Sequence, residues 1–182
     1  PSGKLPISFP KKLEDVGAHA FDKLCYPGDG NNVYYKEDIL VGYRWYDTKN
    51  ISVLFPFGYG LSYTTFQYGK PAVSSKTITA GESLLVTVSV KNTGKTAGKE
   101  IVQLYVNDEV SSLPRPFKEL KGFEKISLEP GEEKTVRFTL TKEDLSYYDD
   151  SKKEWIAEPG KFKIMIGASA SDIRGVVDFN LK

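Results

Sequence analysis

Two carboxyl groups that share acid/base work must face each other across a substrate, so the acidic residues are the first place to look for chemistry. The close pairs are Glu37/Asp38, Glu132/Glu133 and Asp149/Asp150, with Asp47 standing alone. Neighbours on an extended chain point to opposite faces, which makes such doublets poor opposed pairs. Glu132/Glu133 follows a Pro130-Gly131 turn and Asp149/Asp150 opens the polar run ending at Lys153, so both doublets read as solvated surface. Cys25 would need a histidine partner to act as a nucleophile, and His19 is the sole histidine.

Tyr43-Arg44-Trp45-Tyr46-Asp47 is a richer constellation. Aromatic faces stack on sugar rings while Arg and Asp bind hydroxyl groups, so these five residues could rim a glycan site. They could equally form a joint, with Arg44 and Asp47 ion-paired among packed rings and docking one domain on the next. The joint is the reading preferred here, because the motif lies at a boundary between segments of different character. A planar guanidinium held by several hydrogen bonds suits such a joint better than a lysine would.

Other short motifs carry less. Phe57–Tyr63 contains Gly58-Tyr59-Gly60, but Tyr63 stands where a dinucleotide fingerprint needs its third glycine, and no βαβ unit surrounds it. Its glycines suit a tight reversal between aromatics. Asp29-Gly30-Asn31-Asn32 lacks the acidic spacing of a calcium loop and reads as a turn. One histidine and one cysteine leave no ligand set for zinc, and no cofactor is expected. Trp155 precedes the Glu158-Pro159-Gly160 turn and reads as a sandwich-edge or core aromatic, with exposed sugar stacking as the alternative.

The elements behind these residues are extended. Leu84, Val86, Val88 and Val90 alternate with mainly polar residues, and the same period of two recurs at Val102–Val106, Val136–Leu140, Phe162–Ile166 and Val177–Leu181. Turns at Asn92–Gly94, Pro130-Gly131 and Pro159-Gly160 separate them. Further strands near Tyr63–Tyr68 and Leu120–Ile126 bring the expectation to about seven, the pattern of an antiparallel β-sandwich. Thr141–Leu145 offers one helical turn at most, capped by Thr141. Residues 1–32 are rich in Pro and Gly, apart from a candidate short strand at Leu5–Phe9, and would not hold a fold alone.

The chain has 182 residues and a net charge of +1, from 25 basic and 24 acidic side chains spread along its length. That balance offers neither a nucleic-acid stripe nor a polybasic membrane patch, and the apolar runs fall short of a membrane span. The single cysteine allows no internal disulfide and does not fix a compartment.

Three ordered segments carry a family likeness: Pro1–Pro10 (PSGKLPISFP), Val33–Asp47 (VYYKEDILVGYRWYD) and Phe55–Phe66 (FPFGYGLSYTTF). Together they resemble the C-terminal region of family-3 glycoside hydrolases, the β-glucosidase and β-xylosidase group. The resemblance implies a mainly β fold, with a fibronectin type III-like (immunoglobulin-like) antiparallel sandwich over residues 64–182. Residues 1–63 would then be the irregular tail of an α/β sandwich domain plus an inter-domain linker. It also implies that the nucleophile and the acid/base glutamate of the parent enzyme, which cleave the bond in a pair set at a fixed separation, come from domains outside this chain. Those catalytic domains are the expected partners, with a homodimer surface as a further option. The contrasting reading is a self-standing carbohydrate-binding or adhesion module using Trp45, Tyr46 or Trp155.

Overall fold

In the computed structural model, which describes residues 1–182, the alternating runs become strands of two facing sheets. The first sheet holds β1 (Phe66–Tyr68), β2 (Ala72–Val73), β4 (Leu84–Asn92) and β7 (Glu133–Leu140). β7 runs antiparallel along one edge of β4, while β1 and β2 follow each other along the other edge. The second sheet has the order β3 (Thr77–Ile78), β11 (Ile173–Leu181), β10 (Gly160–Gly167), β5 (Gly98–Asp108), β6 (Glu119–Leu128). All its pairings are antiparallel except that of β3 with β11. A separate hairpin joins β8 (Tyr147–Asp149) to β9 (Glu154–Ile156).

The inward residues of β4 (Leu84, Val86, Val88, Val90) meet those of β5 (Val102, Leu104, Val106) and β10 (Phe162, Ile164, Ile166), all 4% exposed or less. Phe162 stacks on Phe179 at 5.4 Å. Each such side chain contributes ~1.5–3 kcal/mol on burial, so the core holds the sandwich without a disulfide or metal. This is the antiparallel sandwich that the period of two predicts.

Several local expectations change. β1 begins at Phe66, not Tyr63. Leu5–Phe9 forms a single bridge, Phe9 to Phe55, instead of a strand. Pro6 and Pro10 have no amide hydrogen to extend a ladder there. Asp149 is buried, its carboxylate accepting from the Ser151 amide and hydroxyl at 2.9 and 2.6 Å, so it shapes a turn and is not solvated. Glu132 likewise closes its turn on the Glu129 amide at 2.7 Å. The helical turn α2 (Lys142–Leu145) forms as expected, with the Asp144 carboxylate accepting the Thr141 amide at 2.8 Å.

The larger departure concerns β5. Alternation assigns Gln103 and Tyr105 to a half-solvated outer face, yet they are 3% and 0% exposed. The cause is a second cover: the helix α1 (Tyr43–Thr48) and the segment around Phe57 lie over that face and form a small core with Tyr105, Met165 and Ala170.

Candidate interdomain clamp

Gly42 delivers the chain into α1 at φ +61°, a left-handed geometry that a side chain would resist. At six residues and without a capping side chain, α1 is too short to stand alone and depends on what it packs against. Residues four apart share a helix face. Tyr43 and Asp47 form one such pair, Arg44 and Thr48 another, and both pairs turn toward Phe117–Leu120 at the start of β6.

The contacts run in antiparallel order. The Phe117 amide donates to Thr48 Oγ1 at 2.9 Å, Lys118 Nζ meets Asp47 Oδ2 at 2.6 Å, Arg44 Nη2 meets Glu119 Oε1 at 3.2 Å, and the Leu120 amide donates to the Tyr43 hydroxyl at 2.8 Å. Tyr43 also stacks on Phe57 at 4.9 Å and meets Tyr105 edge-on at 5.8 Å. Arg44 and Asp47 therefore do not pair with each other; each reaches across to a partner on the sandwich.

Glu119 is the electrostatic centre. Arg44, Arg115 (2.7 Å) and Lys121 (3.8 Å) converge on its carboxylate, and Arg115 also holds Asp108 and the Leu145 carbonyl, each at 3.1 Å. Burial pushes the Glu119 carboxyl up, but the Arg115 hydrogen bond and the three cations outweigh it, and the net displacement is downward. For Asp47 the balance reverses. Its desolvation exceeds the pull of Lys118, and the carboxyl lies above its ordinary range.

A second anchor lies over β5 and β10. The Ala170 amide donates to the Phe57 carbonyl at 2.8 Å, and Gln103 Nε2 donates to the carbonyls of Ala168 (2.9 Å) and Gly58 (3.4 Å). The Tyr105 hydroxyl donates to Gln103 Oε1 at 2.5 Å, so the buried amide is satisfied at both ends. Gly58 has φ +81°, and a Cβ there would collide with the Gln103 amide.

Tyr43, Arg44 and Asp47 are thus brought together on the sandwich, whereas Trp45 and Tyr46 turn the other way. Trp45 donates from Nε1 to the Asp15 carbonyl at 2.9 Å and packs on Phe21 at 5.7 Å. Both rings are buried, at 5% and 7% exposure, and with Tyr43, Arg44 and Phe57 they line an open cavity of about 490 Å³. Trp155 departs from the core-or-edge expectation: it lies on the β8–β9 hairpin, 67% exposed, against Tyr148 at 5.6 Å. Lys118, Glu119, Arg115 and Gln103 complete the clamp, although no motif in the sequence marks them. The one available signal was Ile101 and Tyr105 beside Gln103, an alternate face too apolar for open solvent.

Comparison with known proteins gives a consistent picture. Residues 100–170 match the family described as Fibronectin type III-like domain. The chain is 61% identical over 179 residues to Beta-glucosidase BoGH3A of Bacteroides ovatus, covering 98% of this chain and 24% of that protein. It is 55% identical over 173 residues to Thermostable beta-glucosidase B of Acetivibrio thermocellus, covering 95% and 22%. Among solved structures, the Beta-glucosidase from Kluyveromyces marxianus in complex with glucose superposes with a TM-score of 0.90 at 42% identity, covering 100% of this chain and 21% of that one. The chain thus spans less than a quarter of the length of the relatives it matches.

Proposed function

This chain has the sequence and fold of the C-terminal region of family-3 glycoside hydrolases, fibronectin type III-like domain included, and from that premise we propose that its work is mechanical. It braces the catalytic domains of a β-glucosidase, which remove terminal β-linked glucose with retention through a glycosyl-enzyme. Both catalytic carboxyl groups come from those domains. Most of the large apolar side chains left exposed lie before residue 64, and those such as Ile7, Tyr35, Val41 and Leu54 form the surface that such domains would cover.

The observation that carries this reading is where the side chains of α1 are spent. Tyr43, Arg44, Asp47 and Thr48 each engage Phe117–Leu120, and these contacts support a joint between residues 1–63 and the sandwich. The acids at the seam, Asp47, Glu119 and Asp108, are each held by a cation. The test uses the Bacteroides ovatus relative cut before its matching region. This chain alone should not hydrolyse an aryl β-glucoside, and adding it to the cut enzyme, or fusing it, should restore turnover. Hydrolysis by the chain alone, or full activity of the cut enzyme without it, would refute the brace.

The exposure of Trp155 beside Tyr148 favours a second reading, a sugar-stacking module. Affinity electrophoresis in soluble β-glucan separates the two: retardation abolished by Trp155→Ala supports the module, and unretarded migration supports the brace.

A further inference from the structure

On another side of the same seam, the linker and the sandwich enclose an open cavity of about 520 Å³, within the size range of small-molecule sites. Lys4 and Tyr59 line it from the N-terminal segment, and Tyr68, Glu100, Asp172 and Arg174 line it from the sandwich. Its charges are already matched. Lys4 pairs with Glu100 at 2.9 Å, and Arg174 grips Asp172 through Nε and Nη2 at 2.5 and 2.7 Å.

That balance selects the ligand class. An anion here would sit against Glu100 or Asp172, and a cation against Lys4 or Arg174, each repelled by a like charge. A hydroxyl group, by contrast, can accept a spare N–H of Lys4 or Arg174 and donate to a spare carboxylate lone pair without disturbing either. Tyr59 adds an aromatic wall, the usual complement to the C–H face of a sugar ring.

Tyr68 supplies the most specific sign. Its hydroxyl is buried and has no hydrogen-bond partner, while Arg174 covers its ring at 5.8 Å. Burial, and then the charge of Glu100, hold the phenolic proton on well above the ordinary range, so at neutral pH this group is a donor lacking an acceptor.

We propose that this cavity binds a neutral, hexose-sized polyhydroxylated ligand, whose hydroxyl groups complete Tyr68 and bridge the Lys4–Glu100 and Arg174–Asp172 pairs. Such a ligand touches both the linker and the sandwich, so its binding tightens the seam. The inference does not depend on the brace.

The test titrates the 182-residue chain with D-glucose, cellobiose and glucose 6-phosphate, read by calorimetry and by the NMR signals of Tyr68 and Arg174. Saturable binding of glucose or cellobiose is expected, weakened about tenfold or more by Tyr68→Phe and by Arg174→Ala. The Tm of unliganded Tyr68→Phe should not fall, because the lost hydroxyl had no partner. Glucose 6-phosphate should bind at least about tenfold more weakly than glucose, and Trp155→Ala should leave the affinity unchanged. No saturable binding of either neutral sugar, equal affinity in Tyr68→Phe, or tighter binding of the phosphate ester would overturn the proposal.

Discussion

Lys118 and Asp47 meet at 2.6 Å with their side chains only 4% and 16% exposed, which makes their contact the most desolvated ion pair between α1 and the sandwich. Lys118 also lies over the rings of Tyr105 and Phe117 at 5.6 and 5.3 Å, a position where a cation is welcome and a lone carboxylate nearby is not. Asp47 is held above its ordinary pKa by burial despite this partner. The pair is therefore costly to break and of modest net worth when intact.

Lys118→Met should accordingly destabilise the chain by about 2–4 kcal/mol, since it strands the Asp47 carboxylate. Adding Asp47→Leu should recover part of that loss, so the double variant falls short of the sum of the two singles by roughly 1 kcal/mol or more. Urea unfolding of the four proteins measures the coupling, and strict additivity would show that the two side chains act independently.

Gly58→Ala should cost about 2–4 kcal/mol, from the left-handed backbone and the collision with Gln103 together. Gly81→Ala is the control, because nothing lies near its added Cβ, and it should change stability by no more than about 0.5 kcal/mol. Thermal melts of the two variants decide the point. Equal melting temperatures would mean that the linker does not dock on β5 as described.

The pH dependence of Glu119 has a definite sign. Its carboxyl is held below the ordinary glutamate value of 4.5, so its stabilising contribution is full above that value and is lost as pH falls through the depressed one. Asp47 is displaced the other way and weakens the fold as pH rises through its raised value. Glu119→Gln should therefore cost about 1–3 kcal/mol near neutrality. The gap from the parent chain should narrow in acid below about pH 4.5. A gap that widens on acidification would contradict the network drawn around Glu119.

The sandwich was legible because its strands have one face toward a common core, and Leu84–Val90 or Phe162–Ile166 show that in their spacing alone. The clamp was legible only in part. Tyr43–Asp47 stood out as aromatic and charged, but a six-residue helix with no cap has no period of its own to read. Lys118 and Glu119 look like ordinary surface charges until the fold sets them opposite α1. Gln103 and Tyr105 alternate onto the outer face of β5, and nothing local says that residues 43–58, far away in sequence, return to cover it. Asp149 and Trp155 exchange the roles expected of them, the acid buried and the indole exposed, since a hairpin turn between them decides which side each takes.

Limited proteolysis should cut first between residues 20 and 36, where Phe21, Leu24, Tyr26, Tyr34 and Tyr35 are exposed and no strand protects the backbone. Residues 80–182 should survive as an intact fragment. Mass spectrometry of a chymotrypsin time course reads both, and equally rapid loss of the two regions would argue against a separately stable sandwich.

The most direct measurement fuses this chain to the upstream part of the Bacteroides ovatus relative and introduces Lys118→Met and Glu119→Gln into the fusion. The account predicts a shorter thermal half-life with unchanged kcat and KM for an aryl β-glucoside at low temperature, as befits residues that hold and do not react. A fall in kcat with the half-life preserved would contradict it, by placing the seam within the chemistry itself.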